Sequence, residues 1–349
     1  MQQHPTRRNL LWTTGSELES SKCTYSLSTW LFDLDGKPQL AHPSLGSLPI
    51  RDHSSNQIAT IKYCDPDTAT KYLGHYKALS GNQSKQLEVL TTKINQEATF
   101  ILSSSLNPNE TKKYYSAVFL PLITATMTCS YFSRKQLETL QTRFYQNLLR
   151  KMGYNQNTAV GICMGHPLYL GTGYKCLYMM QGVLGIQTFM RHWQTNTPAA
   201  KLLRIAVSWC QYSIGTSWSI FHNTATSLPH MEAQWLALLC DFLNTIHATL
   251  DLDHTFVPPL QREDDVHLMD MVLDSQTFTA IQICRINYCR LYLQVHTLSD
   301  ITQSCGVWLD KSMLKGNPDA DAPSSNLIHF VQRQPGPASW SLWKQANKL

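Results

Sequence analysis

The acidic side chains that could hold a divalent metal come in two pairs, Asp33 with Asp35 and Asp65 with Asp67. Carboxylate oxygens are the ligands that Mg²⁺ and Ca²⁺ prefer in proteins. Each pair, however, lies beside a glycine or a proline in a polar stretch, and Asp side chains in turns bond to nearby backbone amides. We therefore expect both pairs to form turns and not metal sites.

Other residue types that support catalysis are present without the spacing that catalysis needs. The thirteen histidines lack the close pairs of a zinc site; the isolated ones include His166, His192, His222 and His230. The acidic trio at 263–265 precedes a predicted helix, and helix N-termini favour negative charge, which predicts capping. The glycines at 171 and 173 lack the following Lys-Ser/Thr of a phosphate loop. Residue chemistry alone therefore indicates a protein without a self-contained catalytic motif.

Charge is distributed unevenly along the chain, although the net charge is only +5. The segment 134–204 carries one acid, Glu138, and nine bases: Arg134, Lys135, Arg143, Arg150, Lys151, Lys175, Arg191, Lys201 and Arg204. The segment 232–274 carries nine acids and one base, Arg262. Two interpretations follow: the blocks face each other inside the protein, or the basic block meets a polyanion, most commonly nucleic acid.

Composition indicates a globular intracellular protein. Of the 349 residues, 43% are hydrophobic, which is enough for a packed core. The ten cysteines include no Cys-x-x-Cys pair, which favours buried, reduced thiols. Residues 9–19 lack the apolar run of a signal peptide. The most apolar run, 118–132, is too short to span a membrane, which predicts a buried helix and no membrane partner.

The elements that would position these residues change character near residue 80. Short strand-like runs at 22–34, 45–50 and 58–63 come first and predict a small β-rich region. Amphipathic periodicity then predicts successive helices, over 83–106, from the cap at Asn107, from the cap at Ser133 to Gly153, and over 175–193, 198–212, 229–250, 266–273 and 278–297. The predicted fold class is α+β, mainly α. Segment 316–325 is predicted to be disordered, and Trp340 with Trp343 to form an exposed pair near the C-terminus.

The helix after Ser133 is the best candidate for a ligand-facing element. Arg143 and Arg150 lie seven residues apart and so share one face, about 110° from the apolar stripe at about 100° per residue. They are therefore free of the predicted core and can face a polyanion.

The order of several short motifs resembles a known family. Residues 10–23 read Leu-Leu-Trp-Thr-Thr-Gly-Ser-Glu-Leu-Glu-Ser-Ser-Lys-Cys, followed by Trp-Leu-Phe at 30–32, Asp-Gly at 35–36 and Lys-Tyr-Leu-Gly at 71–74. This order resembles the region after the catalytic aspartates in reverse transcriptases of non-LTR (LINE-like) retroelements. Ser16 stands where the family has a second glycine. Later motifs, such as Leu-Leu-Arg-Lys-Met-Gly-Tyr-Asn at 148–155, extend the resemblance over most of the chain.

The resemblance implies a domain order and a set of roles. It implies a palm end and primer grip over 1–80, a helical thumb over 81–153, a helical connection over 154–310, and a disordered linker with a truncated segment over 311–349. Lys22 would lie near the triphosphate of an incoming nucleotide. Lys71, Tyr72, Leu73 and Gly74 would form the primer grip. The nucleic-acid contacts would come from the thumb and connection, through Arg134, Lys135, Arg143, Arg150, Lys151, Lys175 and Arg191.

The resemblance also implies what the chain does not do. The family's aromatic-x-Asp-Asp motif, which holds the two Mg²⁺ ions of nucleotidyl transfer, would lie upstream of Met1. We therefore expect a fragment with no cofactor of its own and no polymerase activity alone, which binds RNA or DNA weakly and without sequence preference. Two alternatives stay open: a helical scaffold whose basic and acidic faces pair internally, and a chain that works only in association with a full-length reverse transcriptase.

Overall fold

The computed structural model describes residues 23–32, 38–51, 58–72, 74–128, 130–155, 157–253, 256–314 and 335–349. The chain divides into two compact units, which we describe separately. The first comprises Met1–Leu31 with Pro38–Gln86, and the second comprises Phe32–Lys37 with Leu87–Leu349.

Short strands make up the first unit. They are β1 (Thr24–Tyr25), β2 (Trp30–Phe32), β3 (Pro38–Leu40), β4 (Leu48–Arg51), β5 (Ile58–Tyr63), β6 (Thr70–Tyr72) and β7 (His75–Lys77). A three-stranded sheet has the order β1-β5-β4, and β2 pairs with β3. Strand β5 is parallel to β1 and antiparallel to β4. Such short strands bury little surface, and the buried apolar residues among those that the structure describes in this unit are Ile61, Cys64 and Pro66.

The segment 70–77 forms a tight antiparallel hairpin. In β6 and β7, Tyr72 pairs with His75 and Lys71 pairs with Tyr76. Gly74 has φ +87° there, a conformation that costs glycine little and other residues more. The glycine of the Lys-Tyr-Leu-Gly motif is thus explained by the turn itself.

Helices dominate the second unit, which confirms the predicted α+β, mainly α class. They are α1 (Ser84–Ser103), α2 (Pro108–Tyr114), α3 (Leu120–Met127), α4 (Arg134–Lys151), α5 (Val160–Met164), α6 (Leu177–Trp193), α7 (Pro198–Ile214), α8 (Gln234–Thr245), α9 (Leu268–Asp274), α10 (Ala280–Leu293) and α11 (Pro337–Ala346). Helix α1 begins in the last residues of the first unit. Short 3₁₀ turns occur at Pro167–Tyr169 and Leu298–Ile301.

Two helix starts were predicted from capping residues and are confirmed. The Asn107 side chain accepts from the Glu110 amide, and Glu110 accepts from the Asn107 amide. Ser133 and Gln136 make the same reciprocal pair before α4. Each pair satisfies two amides that a helix N-terminus leaves without intrahelical partners.

A π-helical turn, Tyr115–Phe119, joins α2 to α3. The Leu120 amide donates to the Tyr115 carbonyl, five residues back. Pro121 follows directly, and proline has no amide hydrogen and crowds the carbonyl four residues before it. The wider turn accommodates that proline without ending the helix.

Three clusters of buried side chains form the core of the second unit. The first joins α1, α2, α3, α4 and the start of α6, where the Phe119 and Phe144 rings stack with centroids 3.4 Å apart. The second joins α6, α7 and α8 around Phe189, Phe221 and Leu243. The third joins α9, α10 and α11.

The C-terminal tryptophans are buried, so the prediction that they form an exposed pair is wrong. Trp343 is 1% exposed and Trp340 is 9% exposed. Both lie on α11, which packs against α10; the Trp343 indole donates to the Met313 carbonyl at 2.9 Å, and Trp340 contacts the Tyr292 ring edge to face. The segment 316–325, predicted to be disordered, lies outside the described residues.

No helix of the described residues combines the length and the apolar character needed to cross a membrane. The buried thiols that the composition predicts are present in the described part of the chain, at Cys64, Cys163, Cys210, Cys240 and Cys289.

Candidate nucleic-acid interface

Helix α4 presents the basic residues of the predicted thumb. Its inner face buries Leu137, Leu140, Tyr145, Phe144, Leu148 and Leu149 in the first core cluster. Its outer face exposes Lys135, Arg143 and Arg150. At about 100° per residue these three positions fall within about 80° of one another around the helix axis. The periodicity of the sequence therefore placed Arg143 and Arg150 on the face that the structure exposes.

Lys175 is tied to the same part of the molecule through its backbone. Its amide donates to the Tyr115 hydroxyl at 2.9 Å, and its carbonyl accepts from the Tyr145 hydroxyl of α4. The Lys175 side chain is exposed. Two buried tyrosines thus hold this lysine next to α4, 24 residues away from Lys151 in sequence. Burial raises the pKa of Tyr115 and of Tyr145, so both hydroxyls stay protonated and can donate.

Two predicted contact residues, Arg134 and Lys151, already bind groups of the protein itself. Arg134 Nε lies 2.8 Å from Glu138 Oε1, and its guanidinium lies 5.4 Å from the centroid of the Tyr178 ring. The hydrogen bond to Glu138 raises the pKa of Arg134. The half-buried Lys151 donates from Nζ to the Ser104 carbonyl. These contacts make the two cations less available to a ligand than Lys135 and Arg143.

Two arginines lie near the C-terminal end of α6, and only one of them, Arg204, donates to backbone carbonyls there. Arg191 lies in the last turn of α6 and is exposed. Arg204 instead donates to the carbonyl of Trp193, the last residue of α6, at 2.6 Å and to the carbonyl of Thr195 at 3.2 Å. A cation at a helix C-terminus is favoured by the helix dipole, so Arg204 has a structural role.

The face of α4 carries a further residue that sequence reasoning missed. Gln146 is exposed and falls between Arg143 and Arg150 along the same face. Amide side chains of this kind contact nucleic-acid phosphates as well. The helical periodicity that places the two arginines on one face also places Gln146 there, so the position could have been predicted from the sequence.

Uncharged side chains of the basic segment 134–204 donate hydrogen bonds to carboxylates of the acidic segment 232–274. The Tyr178 hydroxyl donates to Asp241 Oδ2 at 3.2 Å, and the Trp193 indole donates to Asp253 Oδ1 at 2.8 Å. These contacts hold α6 against the acidic segment while Arg143 keeps its exposed position.

The primer-grip candidates belong to the first unit. Lys71 and Tyr72 lie on β6, and both are exposed, Tyr72 by 66%. Gly74 forms the hairpin turn described above. Lys22 and Leu73 lie outside the described residues.

The outer face of α4 has the chemistry to bind anions. Exposed guanidinium and ammonium groups along a helix that is anchored in the core offer positive charges to phosphate oxygens. Comparisons with protein-family models, with characterised proteins and with solved structures found nothing that matches the chain. The resemblance to reverse transcriptases therefore stays a prediction.

Proposed function

We propose that this protein binds nucleic-acid duplexes through their phosphates, without reading sequence, using the outer face of α4. One observation carries the proposal: Lys135, Arg143 and Arg150 share an exposed face of a helix whose other face is anchored in the core. The sequence has no Asp or Glu from residue 139 to residue 231, so a polyanion that approaches α4 meets little local repulsion from that stretch.

The rigidity of α4 supports this use. Reciprocal caps at Ser133 and Gln136 fix its start, and buried aromatic rings fix its inner face. A helix held in this way orders no backbone on binding, so the cost of association falls mainly on the long side chains. Successive phosphates of one strand can then contact cations that are spaced along the helix.

We propose further that the chain is related to the palm end, primer grip and thumb of non-LTR reverse transcriptases. The motif order of the sequence carries this part, and a hairpin with a glycine turn at 71–74 is consistent with it. The sequence has no aromatic-x-Asp-Asp motif. Among the described residues of 87–349, no three His, Cys, Asp or Glu side chains converge closely enough to hold a metal ion. Nucleotidyl transfer by this chain alone is therefore not expected.

Fluorescence anisotropy with a labelled RNA–DNA duplex tests the binding proposal. At low salt we expect saturable binding with a Kd of roughly 1 to 100 μM, and a fall of log K with log salt concentration of about 0.9 per phosphate contact. A duplex of scrambled sequence should bind equally well, because the contacts are to the backbone. Binding that is absent at about 100 μM, or that does not change with salt, would contradict the proposal.

A second candidate is the helical scaffold, and one contact favours it. Arg134 lies over the Tyr178 ring while the Tyr178 hydroxyl donates to Asp241, so one end of the basic face does approach the acidic block. In a scaffold, reversing the charges at Arg143 and Arg150 would lower stability and change no ligand binding. In the nucleic-acid protein the same change weakens duplex binding and leaves stability almost unaltered.

A further inference from the structure

Three side chains that could coordinate a cation meet in the first unit. His42 lies between β3 and β4, and Asp65 and Asp67 lie in the turn after β5. The Nδ1 atom of His42 is 3.0 Å from both carboxylate oxygens of Asp65, and its Nε2 atom is 3.5 Å from Oδ2 of Asp67. One ligand atom from each residue lies within 4.8 Å of the other two.

The backbone around Asp65 holds this arrangement in place. The Asp67 amide donates to Asp65 Oδ1 at 2.9 Å, the Thr68 amide donates to the Asp65 carbonyl, and the Cys64 amide donates to the Tyr25 carbonyl at 2.8 Å. The turn predicted from Asp-Pro-Asp is thus confirmed. It also presents two carboxylates on the same side, to a histidine 23 residues earlier.

The imidazole of His42 faces a carboxylate at each of its nitrogens. A neutral imidazole carries only one N–H, so its second nitrogen would direct a lone pair at a carboxylate oxygen. A metal ion placed between the ring and a carboxylate could accept an electron pair from each of them. A divalent cation bound there would also balance the charges of the two carboxylates.

We propose that His42, Asp65 and Asp67 form a binding site for a divalent transition-metal ion of the Zn²⁺ type, with water completing the coordination. Imidazole nitrogen with carboxylate oxygen is a common ligand set for such ions, while Mg²⁺ and Ca²⁺ prefer oxygen alone. All three side chains are partly exposed, by 37 to 52% of the side chain, so they can rotate to close around an ion. The exposure also leaves open positions for water.

This site goes beyond the proposed nucleic-acid binding and does not depend on it. It lies in the first unit and uses one histidine and two carboxylates for one ion. Two-metal nucleotidyl transfer needs carboxylates that bridge a pair of ions, which this cluster does not offer. The metal is expected to fasten the loop between β3 and β4 to the turn after β5.

Isothermal titration of the full chain with Zn²⁺ alone tests the proposal. The wild-type chain should bind one equivalent through this site. His42→Ala and Asp67→Asn should each weaken that binding by at least roughly tenfold, the lower end of what even an outer-shell change costs a metal site. Asp67→Asn keeps the size of the side chain, and circular dichroism of each variant shows whether its fold is retained.

A matched control is available in the second unit. His222 Nε2 lies beside Asp251 Oδ1, and both side chains are exposed, so His222→Ala removes a similar His–Asp pair. That variant should bind Zn²⁺ like the wild type. The proposal is overturned if the wild type shows no saturable binding. It is also overturned if His42→Ala binds as tightly as the wild type, or if His222→Ala loses the binding.

Discussion

A Cβ atom on residue 215 would lie 2.6 Å from Cζ of Arg290, so the bare backbone of Gly215 makes room for that guanidinium. Arg290 is fully buried. It donates to the carbonyls of Tyr212 and Ser213 at 3.1 and 2.6 Å, at the C-terminal end of α7, and to Asn287 Oδ1 at 2.8 Å. The negative end of the α7 dipole helps to hold the buried charge. Gly215 and Arg290 together lock α7 to α10.

Gly215→Ala should destabilise the protein strongly. Gly215 has φ +75°, and the new methyl would also meet the Arg290 guanidinium. We expect a loss of about 3 kcal/mol in the free energy of unfolding, from backbone strain and overpacking together. Urea denaturation followed by circular dichroism measures it.

Gly153→Ala is the control for this prediction. Gly153 has φ +80°, and nothing lies within 4 Å of its Cβ position. This variant carries the backbone strain without the clash and should lose only about 1 kcal/mol. Equal losses in the two variants would show that the contact with Arg290 is unimportant.

The protein should become less stable as the pH falls, because His230 is buried. The ring is 6% exposed, and burial lowers the pKa of His230 to about 4 from 6.5. Between these values the unfolded chain binds a proton that the folded chain does not, so stability is full above pH 6.5 and declines as the pH falls to 4. The decline from this group is about 3 kcal/mol, at about 1.4 kcal/mol per pH unit. His296, whose pKa burial lowers to about 3, acts in the same direction.

The comparison of His230→Gln with the wild type isolates this contribution. Denaturation midpoints measured from pH 7.5 to 4.5 should fall less steeply in the variant, since it lacks the titrating ring. Parallel curves for the two proteins would mean that His230 takes up its proton equally in the folded and unfolded chains.

Cys305 should be the fastest cysteine of the described residues to alkylate. It is exposed, and the backbone amides of Val307 and Trp308 lower the pKa of its thiol. Burial raises the pKa of Cys163, Cys210, Cys240 and Cys289. Because the thiolate is the nucleophile, limited iodoacetamide treatment followed by peptide mass spectrometry should find label first at Cys305. Faster labelling of Cys163, Cys210, Cys240 or Cys289 would contradict the prediction.

Primer extension should give no product with the purified chain. The reaction would contain a primed RNA template, nucleotides and Mg²⁺ or Mn²⁺, with a complete reverse transcriptase as positive control. The expectation rests on the absence of an aromatic-x-Asp-Asp motif from the sequence. DNA synthesis by the chain alone would mean that some other set of carboxylates holds two metal ions.

Local signals in the sequence predicted where helices begin and end better than they predicted which residues the helices contact. The caps at Asn107 and Ser133 gave two helix starts correctly, since capping depends on residues three positions apart. The helix predicted over 229–250 is shorter in the structure, Gln234–Thr245. Apolar periodicity continues on both sides of α8, but these residues pack in the second core cluster as loops, with Leu228, Met231 and Leu250 among them.

Contacts between distant residues could not be read from the sequence. Trp340 and Trp343 were expected to be exposed. Their burial could not be predicted, because α10, against which their helix packs, lies about fifty residues earlier in the chain. Arginine is rarely buried, so nothing marked Arg290 as a core residue. The meeting of His42 with Asp65 and Asp67 could not be predicted, because these partners follow only after two more strands. In contrast, the outward face of α4 followed from helical periodicity alone.

Duplex binding by Arg143→Glu/Arg150→Glu tests most directly whether α4 contacts nucleic acid. The control is Lys112→Glu/Lys113→Glu, which makes the same change in net charge on α2. We expect the α4 variant to lose roughly two phosphate contacts, so its affinity for an RNA–DNA duplex falls at least tenfold and its salt slope decreases by about 1.8. The α2 variant should bind almost like the wild type. Equal loss in both variants, or none in the α4 variant, would contradict the claim that α4 contacts nucleic acid.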